Sequence, residues 1–78
     1  MLIPEQCRAA RALLGLKRGE LAAAAGVSER TVIDFERGAR NPHAPTLAAI
    51  RAALEEAGVE ILDPNGGGAG VRLKAKDG

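Results

Sequence analysis

The chain has 78 residues, a formal net charge of +1, one cysteine, one histidine and one aromatic residue. A chain of this length forms a single domain with one small core, built here from aliphatic side chains. The inventory excludes an intramolecular disulfide and offers no Cys–His pair or metal-ligand cluster, so neither an enzyme nor a cofactor is expected.

Compartment and charge distribution also follow from composition. No apolar run is long enough to span a membrane, and a lone cysteine fits a reducing environment, so a cytoplasmic protein without membrane contact is expected. Residues 1–54 carry eight basic and five acidic side chains, whereas residues 55–78 carry three basic and five acidic ones. The excess of positive charge therefore accompanies the first part of the chain.

The first predicted helix begins at Pro4, where proline is tolerated because its missing N–H would have no helical partner. Apolar residues recur every three or four positions, and Gly15 supplies the C-terminal stop. The inward residues of this helix are Ile3, Cys7, Ala10 and Leu14. Cys7 is interpreted as a small buried hydrophobe and not as a redox site.

Residues 17–38 predict two short helices joined by a tight turn. One helix covers about residues 18–25, Gly26 takes the left-handed conformation of the turn, and Ser28 caps a helix that runs to about residue 37. The predicted inward residues are Leu21, Ala22, Ala25, Val27, Val32 and Phe35. The residues left facing outward are Glu29, Arg30, Ile33, Asp34 and Arg37.

A polar loop at residues 39–43 separates these helices from a fourth one, which spans roughly residues 44–57 and ends at Gly58. Its buried stripe is predicted to be Leu47, Ile50 and Leu54. His43, at the end of the loop, is interpreted as exposed or as a cap of the fourth helix, and not as a metal ligand.

After the fourth helix the apolar period changes from 3.6 to 2, which predicts a β-hairpin around the turn-forming segment 63–70. The apolar face of the hairpin is predicted to be Val59, Ile61, Val71 and Leu73. Glu60 can meet Arg72 on the opposite face. The alternative is a disordered tail after Leu62. The glycines of the segment do not form a phosphate-binding loop, because such a loop leads into a helix and this one leads into a strand.

A set of residues within 5–58 resembles, in its order, the Xre/Cro phage-repressor family of helix-turn-helix domains. The set is Gly15-Leu16, Glu20-Leu21-Ala22, Ala25-Gly26-Val27-Ser28, Val32, Phe35-Glu36-Arg37-Gly38, Asn41-Pro42 and Thr46-Leu47. The last twenty residues resemble small bacterial members of the group, in which a strand segment of the form GVEI…GGG.GVRL replaces the usual fifth helix.

The resemblance implies a mainly α fold. A four-helix, repressor-like helix-turn-helix domain would occupy residues 1–58, with the helix-turn-helix proper at residues 17–38. A C-terminal β-hairpin would form an extension over residues 59–78 and is a candidate dimerisation element.

The resemblance also implies an ion pair between Arg11 and Glu36, which would tie the first helix to the end of the third. Loss of one partner from a half-buried pair leaves an uncompensated charge. The alternative is two solvated surface charges.

The resemblance makes residues 28–37 the recognition helix, which lies in the major groove of DNA. The candidates for contacts with base edges are Glu29, Arg30, Ile33 and Asp34. The candidates for contacts with phosphates are Lys17, Arg18, Ser28, Thr31, Arg37, Arg40 and Asn41. Arg30 can donate two hydrogen bonds to guanine, Glu29 can accept one from cytosine, and Ile33 can touch a thymine methyl group. Asp34 is expected to hold Arg30 in position, and a solvated face is the alternative for both acidic residues.

Two positions depart from the family pattern. Family members usually carry Ser or Thr at the position of Lys17 and Gln at that of Arg18. Without the hydroxyl, the capping box toward Glu20 is expected to be lost, and Gly19 weakens the first helical turn. The second helix is therefore expected to start late or to fray.

The sequence as a whole predicts a sequence-specific, double-stranded-DNA-binding regulator of transcription, and specifically a repressor. It would bind an operator of two half-sites as a homodimer, since each chain offers one recognition helix. The candidate dimer interface is the hairpin, with the residues Val59, Ile61, Leu62, Val71 and Leu73.

Two other functions share this fold. One is a protein-binding adaptor, such as an antitoxin or an antiactivator, with a protein partner as its main target. The other is a controller protein of a restriction–modification system. A continuous basic face favours DNA, whereas a face divided by Glu29 and Asp34 favours the adaptor.

Overall fold

The computed structural model of the protein describes residues 1–64 and 66–75. It contains helices α1 (Pro4–Leu14), α2 (Arg18–Ala25), α3 (Glu29–Glu36) and α4 (Ala44–Ala57), followed by strands β1 (Val59–Leu62) and β2 (Gly70–Leu73). The mainly α fold with a C-terminal hairpin is confirmed, and a disordered tail after Leu62 is not observed. Position 65 in the predicted turn and positions 76–78 of the predicted extension lie outside the described residues.

The turn between α2 and α3 is built as its residues predict. Gly26 ends α2 with φ of +71°, in the left-handed region that glycine adopts without steric cost. The N–H of Val27 donates to the carbonyl of Ala22, which closes the helix. Ser28 then caps α3, because its hydroxyl accepts the N–H of Thr31 at 3.1 Å.

The start of α2 differs from the expectation. The helix begins at Arg18, so it is not delayed. Lys17 has no acceptor atom in its side chain, but Glu20 still supplies the other half of the capping box, since its Oε1 accepts the N–H of Lys17 at 2.8 Å. The predicted loss of this box is therefore wrong for the Glu20 half, which is enough to start the helix.

The core lies between the four helices and is closed by the hairpin, which packs against α1 and α4. Its fully buried members include Leu21, Val32, Ile50, Leu54 and Val59. Ile3, predicted to face inward, is 37% exposed, and Leu2 is buried in its place at 2% exposure. The helical period does not extend to residue 3, because its backbone is extended at the N-cap of α1.

The hairpin completes this core. Its antiparallel register places Val59 opposite Leu73 and Ile61 opposite Val71. Val59 and Ile61 are buried beneath the helices, whereas Leu73, expected on the same apolar face, is 53% exposed. The strands therefore close one side of the domain with β1 and leave the far end of β2 in solvent.

None of the helices in the described parts of the chain is both long enough and apolar enough to cross a membrane.

Candidate nucleic-acid interface

Helix α3 has one buried and one open face. Val32 and Phe35 are buried at 0% and 2% exposure, on the side of the helix that packs against α1 and α2. Arg30, on the other side, has 76% of its side chain exposed. The spacing of three between Val32 and Phe35 sets the buried side of the helix, to which Glu36 also belongs, and leaves Arg30 on the opposite side.

A buried ion pair fixes the end of α3 to α1. The Nε and Nη2 atoms of Arg11 donate to the two carboxylate oxygens of Glu36 at 2.6 and 2.7 Å. Glu36 is 3% exposed and Arg11 is 20% exposed, so the pair lies largely out of water. Two parallel charge-assisted hydrogen bonds of this kind also set the orientation of both side chains.

Three further contacts extend this ion pair. The thiol of Cys7 donates to the same Glu36 carboxylate, with 3.1 Å between Sγ and Oε2. Arg8 donates to the main-chain carbonyl of Glu36, and Arg11 also donates to the carbonyl of Leu16 at 3.0 Å. The first helix therefore contacts the end of α3 and the residue that precedes the helix-turn-helix segment.

The pKa values of Cys7 and Arg11 are both raised in this cluster. Burial raises the pKa of the Cys7 thiol far above its usual range, and the hydrogen bond to the Glu36 carboxylate raises it further. The hydrogen bonds to Glu36 raise the pKa of Arg11. Cys7 is thus a neutral, buried hydrogen-bond donor, and Arg11 stays charged.

The base-contact candidates surround the open face of α3. Arg30 and Asp34 form an ion pair one turn apart, with 3.5 Å between Nε and Oδ1. Asp34 and Ile33 are partly buried, whereas Glu29 is exposed. The Glu29 carboxylate packs beside the start of α2, 3.6 Å from the point where a β-carbon on Gly19 would lie.

A depression runs along this face, between α3 and the loop that precedes α4. Its volume is about 260 Å³. It is lined by Ser28, Arg30, Thr31, Asp34, Arg40 and Pro42. The depression thus brings together base-contact and phosphate-contact candidates from the helix and from the loop.

The basic phosphate-contact candidates are free of carboxylate partners. Within residues 1–64 and 66–75, no carboxylate oxygen lies within 4.0 Å of the cationic groups of Lys17, Arg18, Arg37 or Arg40, and all four side chains are exposed. In contrast, Arg11, Arg51 and Arg72 are paired with carboxylates. Arg8 and Lys74 also lack a carboxylate partner, but they donate to the main-chain carbonyls of Glu36 and Glu55. The described cations whose side chains have neither an ion-pair nor a hydrogen-bond partner therefore lie in the helix-turn-helix segment and the loop after it.

The uncharged phosphate-contact candidates differ from one another. Asn41 is exposed and Thr31 is partly buried. The Ser28 hydroxyl is engaged within the protein, where it lies 2.8 Å from the Thr31 hydroxyl and also caps α3. His43 occupies the N-cap position of α4 without a hydrogen bond from its side chain to the helix.

A comparison with known protein families agrees with the helix-turn-helix geometry of the chain. A helix-turn-helix family model covers residues 8–61, which is more than half of the chain. The chain belongs to the Xre/Cro-like helix-turn-helix family. This is a family of DNA-binding regulators, as the residues from Gly15 to Leu47 predict. No curated protein matches the chain.

The helix-turn-helix fold is extended by the hairpin, whose predicted interface residues fall into two groups. Val59 and Ile61 are occupied in the core of the same chain. Leu62 and Val71 are partly buried, and Leu73 is exposed. A surface for a second chain is thus limited to the last three.

One residue with a central role carries no sequence signal as a site. The side-chain amide of Gln6 donates to the carbonyls of Leu62 and Gly70 at 2.8 and 3.1 Å, and its oxygen accepts the N–H of Ile3 at 3.1 Å. Gln6 is 2% exposed. It ties the helix-turn-helix domain to the hairpin, and a polar residue beside apolar Cys7 is the only hint in the sequence.

Proposed function

We propose that this helix-turn-helix protein is a repressor of transcription that binds an operator of two half-sites as a homodimer. The observation that carries the proposal is the open face of α3, where Arg30 is braced by Asp34 and the unpaired Arg40 lines the same depression. A protein that occupies promoter DNA excludes other proteins from it, so repression needs no further group.

Arg30 is the principal candidate for base recognition. Asp34 engages the Nε edge of the guanidinium, which leaves the two terminal nitrogens free. These match the O6 and N7 acceptors of guanine, a contact worth about 1–3 kcal/mol of discrimination. Glu29 and Ile33 would contact a cytosine amino group and a thymine methyl group beside it.

The unpaired cations supply the phosphate contacts. Lys17 and Arg18 stand at the start of α2, whereas Arg37 and Arg40 follow α3. Phosphate contacts from the two sides of the recognition helix position it in the groove without reading sequence. Two such units on a dimer would lie one turn apart, about 34 Å along the duplex.

The protein-binding adaptor is the weaker proposal. An adaptor requires acidic side chains that divide the basic surface. Asp34 does not do so, because its charge is balanced by the ion pair with Arg30. Glu29 remains exposed beside Gly19 as the single acidic group of α3 without a salt bridge among the described residues. The charge balance of this surface therefore supports DNA.

The test is a titration of the wild-type protein and Arg30→Ala against the DNA upstream of its own gene, measured by gel shift and fluorescence anisotropy. We expect the substitution to weaken binding of the specific site by about 1–3 kcal/mol and to leave binding of unrelated duplex almost unchanged. Arg51→Ala is the matched control, because Arg51 lies on α4 and pairs with Glu55 and Asp63. An Arg30→Ala protein with unchanged site affinity would contradict the proposal.

A further inference from the structure

The outer edge of β2 has main-chain groups that point away from the hairpin. The N–H of Lys74 donates to the carbonyl of Gly58 at 2.9 Å, so this residue pair faces inward. In an antiparallel ladder inward and outward pairs alternate, and the register therefore turns the N–H and C=O groups of Val71 and Leu73 outward. Within the described residues, no main-chain hydrogen bond joins these groups to another element.

The side chains around this edge are open as well. Arg72 and Leu73 are exposed, whereas Val59 and Ile61 on β1 are buried. A free strand edge with an exposed leucine is a template for another strand. The exposed Leu73 and a groove beside Ala69 and Val71 lie on this same strand, so a second copy of β2 can supply the side chain and the groove reciprocally.

Only some registers would place the outward main-chain N–H and C=O groups of one copy opposite those of the other. Three symmetric antiparallel pairings do so, with Val71, Arg72 or Leu73 opposite the same residue of the second copy. The pairing centred on Arg72 sets two arginines against each other, and the one centred on Leu73 sets Arg72 against Lys74. Like charges directly opposite are unfavourable. The pairing centred on Val71 sets Arg72 against Gly70 and has no such repulsion.

The same register provides a place for the exposed leucine. Centring on Val71 puts Leu73 of the second copy opposite Ala69, on the face of the sheet that contacts α1. There the structure has a depression of about 200 Å³, lined by small side chains and glycine together with Glu5 and Gln6. Its small members are Ala9, Ala69 and Gly70. The side chain that is unburied in one chain therefore meets a vacant groove in the other.

We propose that two copies of this chain join through their β2 edges, with Val71 on the two-fold axis, in a continuous four-stranded sheet. Each Leu73 fills the groove beside Ala9 and Ala69 of the other copy. This inference rests on the homodimer of the proposed function and specifies its interface. Of the predicted interface residues, it uses Val71 and Leu73 at the edge of β2.

Cysteine substitution tests the register in the full chain. Val71→Cys, Arg72→Cys and Leu73→Cys are each oxidised mildly and separated without reductant. Residues opposite each other on a hydrogen-bonded pair are about 5.5 Å apart, within the range for a disulfide. We expect a covalent dimer from Val71→Cys and none from the other two. Native Cys7 is buried and does not interfere. A dimer linked at residue 72 or 73 instead would overturn the register.

A second measurement does not depend on cross-linking. In sedimentation equilibrium, Leu73→Asp should raise the dimer dissociation constant at least about tenfold, because a charge would replace the leucine in the groove. Arg72→Ala, on the other face, is the matched control and should leave it unchanged. An unaffected Leu73→Asp dimer, or a wild-type chain that is monomeric, would overturn the interface.

DNA titration of the same variants separates this inference from the proposed function. A chain that binds its operator but does not link at residue 71 would refute the interface alone. A chain that links there and binds no DNA would refute the function and support the interface.

Discussion

At the level of single residues, Glu36 is the one charged side chain that is buried among the described residues. Its carboxylate is 3% exposed and is satisfied by two nitrogens of Arg11 and the thiol of Cys7. A carboxylate this deeply buried is tolerated only with such partners. No side-chain nitrogen or oxygen buried in the described part of the chain lacks a hydrogen-bond partner.

Removal of Arg11 should therefore destabilise the fold. Arg11→Ala leaves the Glu36 charge buried with the Cys7 thiol alone, and we expect a loss of about 3–5 kcal/mol in the free energy of unfolding. For a domain of this size that lowers Tm by more than about 10 °C. Urea denaturation and calorimetry measure both. Arg51→Ala, which removes a surface pair, should cost less than about 1 kcal/mol. An unchanged Tm for Arg11→Ala would refute the buried-pair interpretation.

Cys7 should be unreactive in the native state. The thiolate is the nucleophile, and burial with the Glu36 contact raises the thiol pKa. At pH 8 we expect a thiol reagent to label native Cys7 at least about 100-fold more slowly than the urea-unfolded chain. Ala52→Cys, with an exposed site on α4, should label rapidly under native conditions. Equal rates for native and unfolded wild type would contradict this.

The raised pKa of Cys7 also makes the free energy of unfolding depend on pH. The folded state holds the proton more tightly than the unfolded state, so this contribution to stability is complete below the unfolded pKa and is lost as pH rises above about 9. The free energy of unfolding should fall above that pH in wild type and fall less in Cys7→Ala. Denaturation curves between pH 7 and 10 compare the two slopes.

At the scale of elements, α2 shows how one half of a cap can start a helix. Glu20 accepts the N–H of Lys17, and the backbone of Lys17 has the extended N-cap conformation with φ of −81° and ψ of 157°. At this position Lys17 supplies a positive charge, whereas a serine or threonine hydroxyl would stabilise the start of the helix.

Exchange of these two properties is a direct test. Lys17→Ser should raise the free energy of unfolding by about 0.5–1 kcal/mol, because the hydroxyl can accept an N–H of the first turn. It should also weaken DNA binding and reduce the salt slope by about one for each chain, because one phosphate contact is lost. Lys17→Ala changes the charge without adding the acceptor, so the difference between the two variants isolates the cap. Equal stability of the two would contradict the prediction.

The hairpin is an element of the core as much as an extension. Val59 and Ile61 are buried, and Gln6 joins α1 to both strands. Deletion of residues 59–78 therefore removes core side chains together with any dimer surface. Point substitutions at the exposed β2 edge separate the two effects.

At the scale of the whole molecule, a net charge of +1 conceals a separation of charge. Most of the described acidic groups of the hairpin region pair with nearby cations. Asp63, for example, pairs with the N-terminal ammonium group and Arg51. Both cations lower the pKa of the Asp63 carboxyl. Lys17, Arg18, Arg37 and Arg40, which lie at or near the ends of α2 and α3, have no carboxylate partner among the described residues. The molecule can thus present a positive face without a high overall charge.

Binding of DNA should accordingly be strongly salt-dependent. A dimer with four unpaired cations on each chain makes roughly 6–10 phosphate contacts, so affinity should fall about 10³–10⁵-fold between 50 and 200 mM salt. Anisotropy titrations across this range give the slope. Arg72→Ala, which removes a cation paired with Glu60, is the control and should keep it. A slope near zero would contradict binding through phosphates.

The secondary-structure elements and the family are predictable from the amino-acid sequence alone. Apolar periodicity, the Gly26 turn and the Ser28 cap are local signals, and they predicted four helices, the turn of the helix-turn-helix and the hairpin. They also predicted that Val32 and Phe35 face inward, since a spacing of three sets the buried face of a short helix.

Contacts between side chains that are far apart in the sequence are visible only in the folded structure. Gln6 bonds to residues 56 and 64 positions away, Leu2 replaces Ile3 in the core, and Leu73 is left in solvent. The Cys7 contact with Glu36 likewise spans 29 positions. Local patterns carry no information about such pairs, because they depend on how finished elements pack and on where buried polar groups find partners.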